Sequence, residues 1–409
     1  MSFYLIHTMT IFNKLKGETY YNIKNYIDYY TNIKLIPDKK NKVKPNDVYL
    51  KFTTYDFSEQ GISELVLFEL INEKTVQHEI SIRINPSRLI QKNNPNHVML
   101  ESDILPVNHE FNQLLSKFHD VNDDLNAIQA INQSKLQNYI DQFIEWKARR
   151  IDYSTNIITP HVALYIKLFQ RADRPVQEFK ELINPDTGKL GQLENSFYLV
   201  SKSATINFYD KQAQLLSSDK PKDPIKIATA KDILRIEIQC DEEKIKYIRK
   251  HDKNILSIRL YDLMQKELAL EQLLFYYDKT VGSGDYHTFA DAKKIINAQS
   301  NIIKSTKTKL IACLKFINNQ TSLWDAREKW MKRKTKNKQF DKYIAQIRGI
   351  GINPICIPNN YEIKELPNIR DKIKENVLQS APIEIAEPLL PQYIPICNAD
   401  LLEEFKNIV

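Results

Sequence analysis

Apolar and polar residues alternate over several short stretches of this chain, and each such stretch predicts a β-strand. His78–Ile84 is the clearest early case: Ile80, Ile82 and Ile84 face one way, and Glu79, Ser81 and Arg83 the other. Asn85-Pro86 stops it, and Ser87–Leu89 reads as a turn or short helix. Val48–Tyr55 and Glu64–Ile71 read as earlier strands, whereas residues 1–45 show no clear period. Further along, Arg149–Ile157 places Arg150, Asp152, Ser154 and Asn156 on one face, and Ile151, Tyr153, Thr155 and Ile157 on the other. Ser196–Val200 and Ala204–Tyr209 read as a hairpin with Ser201-Lys202-Ser203 near its turn. Leu234–Cys240 sets Leu234, Ile236 and Ile238 against Arg235, Glu237 and Gln239.

Helical spacing occupies the rest. Phe111, Leu114, Leu115 and Phe118 share a helix face, as do Leu136, Tyr139, Ile140, Phe143 and Ile144 behind a Ser134/Gln137 capping box. Thr159-Pro160 starts a helix Pro160–Gln170, Lys211–Leu216 opens another, and 241–251 forms a third. Ser217–Lys226 reads as a linker or loop. Beyond about residue 255 helices dominate: Leu260–Phe275, Phe289–Ala298, Lys307–Ile317 and a long Trp324–Ile347. Arg348–Pro358 reads as a turn into a short strand, and the prolines of 382–396 suggest an extended tail. The expectation is an α+β protein: an antiparallel-sheet domain over 1–255, a mainly helical domain over 256–365, and an extension over 366–409.

Composition narrows this modestly. A chain of 409 residues with 42% hydrophobic content has material for real cores. Lys+Arg (58) exceed Asp+Glu (51), which permits an anionic partner without requiring one. The four cysteines are far apart, which excludes the usual zinc spacings and fits free thiols in a reducing cytoplasm. No window approaches the apolar length of a membrane span, and no targeting segment is visible.

The candidate chemistry lies on the three central strands. Asp152 and Glu237 each stand on the polar face of an otherwise apolar strand, where an unpaired buried carboxylate is costly. A divalent cation offsets that cost, and oxygen ligands suit Mg²⁺ or Mn²⁺. Tyr209 ends its strand beside Asp210 and Lys211. A phenol with an ordinary pKa of about 10 needs help to act as a nucleophile, and Lys211, on the same face if the strand continues, would provide it or contact a phosphate. The plainer reading is a salt-bridge ladder with a packing tyrosine.

The combination resembles a family. Arg-Arg-Ile-Asp-Tyr-Ser (149–154), Ser-Lys-Ser-Ala-Thr-Ile-Asn-Phe-Tyr-Asp-Lys-Gln (201–212) and Ile-Leu-Arg-Ile-Glu-Ile-Gln-Cys (233–240) look like the blocks of rolling-circle replication initiators. The likeness is strongest to the gene II replication proteins of filamentous phages and related plasmid and phage initiators. Glu79–Leu89, Val281–Ala290 and Arg348–Pro358 fit the same likeness. It implies an HUH-like nuclease fold that nicks one strand of a duplex origin, with Tyr209 linked to the 5′ end and the strand later rejoined. Asp152 and Glu237 carry over as metal ligands, their carboxylates expected within roughly 5 Å of a shared cation. The His-hydrophobic-His triplet of HUH enzymes is missing, and His78 is the one histidine in a convincing strand.

Lys329–Arg348 is a basic stretch with Trp324, Trp330 and Tyr343 interleaved, and Lys202 with Lys332, Arg333, Lys334, Lys336 and Lys338 are the candidate DNA contacts; a solvated helix face is the alternative. Phe289–Ala298 with Lys307–Ile317 has the form of a helix-turn-helix. Gly282-Ser283-Gly284 lacks the continuation of a nucleotide-binding loop, so unwinding requires a host helicase. The expected partners are double-stranded origin DNA, single-stranded DNA and a host polymerase in a bacterial cytoplasm. A DNA-binding initiator without catalysis and the relaxase of a mobilisable element are the competing readings.

Overall fold

In a computed structural model, residues 6–30, 34–35, 48–72, 74–90, 99, 103–117, 143–175, 178–181, 194–217, 223–332 and 339–378 are described. The strands are β1 (Ile6–Leu15), β2 (Lys34–Leu35), β3 (Val48–Thr54), β4 (Ile62–Ile71), β5 (Val76–Ile84), β6 (Lys147–Ile158), β7 (Lys180–Glu181), β8 (Ser196–Val200), β9 (Ala204–Asp210), β10 (Ile233–Asp241), β11 (Tyr286–His287) and β12 (Glu365–Leu366). The helices are α1 (Gly17–Tyr30), α2 (Pro86–Ile90), α3 (Ile104–Lys117), α4 (Val162–Phe169), α5 (Lys211–Leu216), α6 (Pro224–Thr229), α7 (Glu242–His251), α8 (Leu260–Leu263), α9 (Lys266–Thr280), α10 (Phe289–Ala298), α11 (Lys304–Asn318), α12 (Leu323–Met331), α13 (Phe340–Gly349) and α14 (Arg370–Leu378).

The first ten strands form one antiparallel sheet in the order β2-β3-β4-β5-β1-β6-β10-β9-β8-β7. The protein is thus a mixed α and β chain built on a large antiparallel sheet. The strands with clean alternation form where the period places them, because each can bury one face. On β6, β10 and β9 the buried apolar face carries Ile151, Tyr153, Ile157, Leu234, Ile236, Ile238, Ala204, Ile206 and Phe208. Helices α7 and α9 lie against β6 and β10, and α4 lies against β8 and β9. Tyr153 donates its hydroxyl proton to the Leu263 carbonyl at 2.8 Å, tying the middle of the sheet to α8.

Several elements differ from the sequence expectation. The stretch without a period contains β1, the central strand, and α1. The helix expected over Leu260–Phe275 breaks at Met264-Gln265 into α8 and α9, and α9 runs on to Thr280. The long helix expected over Trp324–Ile347 is two, α12 and α13. The first ends at Met331 with Lys332 as its C-cap, and the second starts at Phe340 behind Gln339. Arg348, grouped by sequence with the basic stretch, lies in the last turn of α13 and is half-buried beneath Gly282. The capping box at Ser134, most of the helix expected around Leu136–Ile144, the 184–188 loop and the proline-rich 382–396 stretch lie outside the described residues. No helix among the described residues is long and apolar enough to cross a membrane.

Candidate active site

Residues directly opposite in an antiparallel ladder point to the same face, so register alone assembles the polar side of the sheet. One row is Asn156, Arg235, Tyr209 and Ser196; the next is Ser154, Glu237, Asn207 and Tyr198; the third is Asp152, Gln239 and Thr205. Asp152 and Glu237 are therefore diagonal neighbours on adjacent strands, and Tyr209 lies one row from Glu237. Asp152, Ser154, Asn156, Arg235, Glu237, Asn207 and Tyr209 are all buried.

Burying charge at this density requires partners. Arg150 grips Asp152 with both ends of its guanidinium fork, Nε to Oδ1 at 2.7 Å and Nη2 to Oδ2 at 2.8 Å. Glu237 accepts from Gln239 Nε2 on Oε1 at 2.9 Å and from the Tyr209 hydroxyl on Oε2 at 3.2 Å. His7 arrives from β1, where a register shift between Ile6 and Met9 carries the strand past the rows, and its Nδ1 lies 3.4 Å from Glu237 Oε2. Arg235 donates from Nε to Asn156 Oδ1 at 2.8 Å.

The electrostatics divide the two acids. Burial acts to raise Glu237, but His7, Gln239 and Arg235 outweigh it and hold its carboxyl well below the usual range. Burial pushes Asp152 up to about 7, with the Glu237 charge adding and the Arg150 bonds opposing. Burial lowers His7 to about 4 against the pull of Glu237, so its imidazole is neutral near pH 7. Burial, reinforced by Glu237 and opposed by Arg235, raises the Tyr209 phenol above its ordinary value. The neighbouring Tyr198 is pushed up to about 12, chiefly by burial.

Lys211 reaches this cluster by a different route from the one its spacing suggests. The strand ends at Asp210, whose carboxylate accepts the Ala213 amide at 3.0 Å and caps α5. Lys211 is the first residue of that helix; its Nζ donates to Gln214 Oε1 at 2.9 Å and stands 5.9 Å from the Tyr209 ring centre. Burial, with Arg235 adding, holds its amine well below the ordinary lysine value.

The structure thus brings Tyr209, Lys211, Asp152 and Glu237 into one buried polar patch. The two candidate DNA contacts among the described residues are elsewhere. Lys202, in the β8–β9 turn, is 84% exposed and pairs with Glu243 at 2.8 Å. Lys332 is exposed just after α12, and Arg333, Lys334, Lys336 and Lys338 lie outside the described residues. His78 sits in a separate buried network, 3.2 Å from Glu69 and stacked on Tyr20. The patch also draws in His7, Arg150, Arg235, Asn207 and Gln239, to none of which sequence reasoning assigns a role. His7 carries no local signal, because the bulge beside it breaks the alternation that marks the other strands.

The residues can be tested against a divalent cation. Among the described residues no three of His, Cys, Asp and Glu are gathered in metal-binding geometry. The donors around Glu237 are nonetheless oxygen-rich. Asn207 Oδ1 and Ser154 Oγ, on either side of it in the same row, are buried with no hydrogen-bond partner among the described residues. Such orphaned oxygens beside two carboxylates fit a hard cation such as Mg²⁺ or Mn²⁺. No protein-family model matches this chain, and no curated protein sequence matches it.

Proposed function

We propose that this protein is a tyrosine DNA nickase of the replication-initiator type, acting on one strand of a duplex origin. The observation that carries the reading is the Tyr209 hydroxyl bonded to the Glu237 carboxylate at 3.2 Å, with Asp152 diagonally adjacent on the same sheet face. Glu237 Oε2 is within reach of the phenolic proton and takes it as the oxygen attacks phosphorus. The P–O3′ bond breaks, the 3′ oxygen leaves with the proton relayed through Glu237, and the 5′ phosphate stays on Tyr209 as an ester. Arg235, which already opposes the rise of the phenol pKa, stabilises the developing phenolate. Mg²⁺ or Mn²⁺ held by Asp152, Glu237 and Asn207 would polarise the phosphate. Arg150 keeps the Asp152 carboxylate oriented, and His7 does the same for Glu237. Rejoining is the reverse of the same step, and a host helicase and polymerase supply unwinding and synthesis.

The test uses supercoiled origin DNA with Mn²⁺. The wild-type chain is expected to give nicked circles and a covalent protein–DNA adduct. Tyr209→Phe loses both, and Tyr198→Phe, on the neighbouring strand, keeps both. Nicking by Tyr209→Phe at the wild-type rate overturns the assignment. The 6% exposure of Tyr209 favours a second reading, an origin-binding protein without catalysis. That reading requires the wild-type chain to relax no origin with either metal.

A further inference from the structure

Two glycine-bearing segments have no part in the nicking chemistry, yet the fold brings them together. The amide of Asp285 donates to the Gly351 carbonyl at 2.8 Å, and that of Asn353 to the Asp285 carbonyl at 2.8 Å. Between them and the start of α14 lies an open cavity of about 630 Å³, walled by Gly282, Ser283, Gly284, Arg348, Asn368 and Asp371 among others. A second cavity of about 490 Å³ shares Ser283 and Arg348 with the first. Both are of a size that holds small ligands.

Arg348 is the unusual group. Its Nη2 donates to the Val281 carbonyl at 3.1 Å, while its Nε is buried with no hydrogen-bond partner. No carboxylate pairs with it among the described residues, and burial holds its pKa below the ordinary arginine value. A half-buried guanidinium with no paired carboxylate and a buried, unpartnered Nε is costly to keep. The chain keeps it there with a glycine: a Cβ on Gly282, at φ +74°, would stand 2.3 Å from the guanidinium. Asn368 fixes the loop above it, donating from Nδ2 to the carbonyls of Gly282 at 2.9 Å and Gly284 at 3.0 Å. The nearby acids are mostly committed. Asp278 holds Arg370 at 2.7 and 2.8 Å, and Asp285 Oδ1 accepts the Asn368 amide at 2.7 Å. Asp371, exposed in the first turn of α14, is the charge an incoming anion meets.

We propose that this cleft binds a phosphate group, with the Arg348 guanidinium as its counter-charge and the Ser283 hydroxyl as a further donor. The two cavities flanking Arg348 suit either one phosphate of a nucleic-acid strand or a free phosphate. The site stands apart from the Tyr209 patch, shares none of its residues, and does not depend on that patch being catalytic.

The test measures binding of inorganic phosphate and of a twelve-nucleotide poly-dT strand to the full chain by titration calorimetry. Arg348→Gln is expected to weaken binding about tenfold or more, because a charge-assisted contact is lost. Weakening of the strand, with the slope of log K against log salt falling by about one, identifies a backbone phosphate. Weakening of inorganic phosphate alone identifies a free one. Asp371→Asn, an exposed change that leaves the fold alone, tightens the same probe several-fold and decides the matter if Arg348→Gln does not fold. Failure of the wild-type chain to bind either probe overturns the proposal, as does an Asp371→Asn chain that binds both probes as the wild type does. Inorganic phosphate binding is read without any cleavage, and nicking of supercoiled origin DNA is scored in its own assay, so failure of the nickase reading is recognised separately.

Discussion

His7 governs the acid side of the polar patch. Its imidazole is lowered to about 4 in the fold, against an ordinary value near 6.5. Between those values the unfolded chain holds a proton that the native chain does not, so this group makes stability rise with pH across that window. Its contribution is complete above the unfolded value and is lost as pH falls through the native one. Asp152, raised to about 7, works the other way: there the native state holds the extra proton, and its contribution declines as pH rises. The two trends oppose one another between about pH 4 and 6.5. Replacing His7→Gln removes the first and leaves the second. Urea unfolding across this range is expected to show a mutant whose stability falls with rising pH more steeply than that of the wild type. NMR of the wild-type imidazole is expected to titrate near the low value; a His7 signal titrating near 6.5 refutes the argument.

Among the elements, a loop glycine and a helix-end glycine respond very differently to the same substitution. At Gly284, φ is +91° and a Cβ would sit 2.4 Å from the Ile352 carbonyl carbon, which is backbone and cannot turn aside. Gly284→Ala is expected to cost at least about 1–3 kcal/mol. At Gly349, the last residue of α13, a Cβ meets nothing within 4 Å. Gly349→Ala is expected to be neutral or stabilising by up to about 1 kcal/mol, and equilibrium denaturation of both variants checks the contrast. What the sequence makes legible follows the same local logic. β5, β6 and β10 show their faces in two-residue alternation, so Asp152 and Glu237 could be placed on polar faces without knowing which strands pair. The rows that join them depend on register between β6 and β10, about eighty residues apart in the chain, which no local period reveals. The surroundings of Arg348 are hidden from a local reading for a related reason: its sequence neighbours are basic, but the backbone over its guanidinium is that of Gly282, far away in sequence.

For the molecule as a whole, residues on both sides of position 255 share one hydrophobic core. β6 is tied to the later segment at its first residues, where the Ala148 amide donates to the Ile258 carbonyl and the Leu260 amide to the Trp146 carbonyl, each at 2.9 Å. At its far end Asn376 of α14 donates to the Asn156 carbonyl at 2.8 Å. Helices packed this way remove the apolar face of the sheet from water, so the sheet and the later helices are expected to unfold together. Calorimetry with the full chain should give one transition whose calorimetric and van't Hoff enthalpies agree; two resolved transitions refute it.

β1 fills the middle of the sheet, with β5 on one side and β6 on the other. During synthesis β1 leaves the ribosome about 140 residues ahead of β6, yet Ile6 pairs with Tyr153. The nascent strand must wait, with one ladder edge open, until β6 has emerged. Such a delay favours early capture by chaperones or by like edges of neighbouring chains. A change that hindered this closure would split the sheet in two and withdraw His7 from Glu237, so the timing of synthesis and the make-up of the polar patch are linked through one strand.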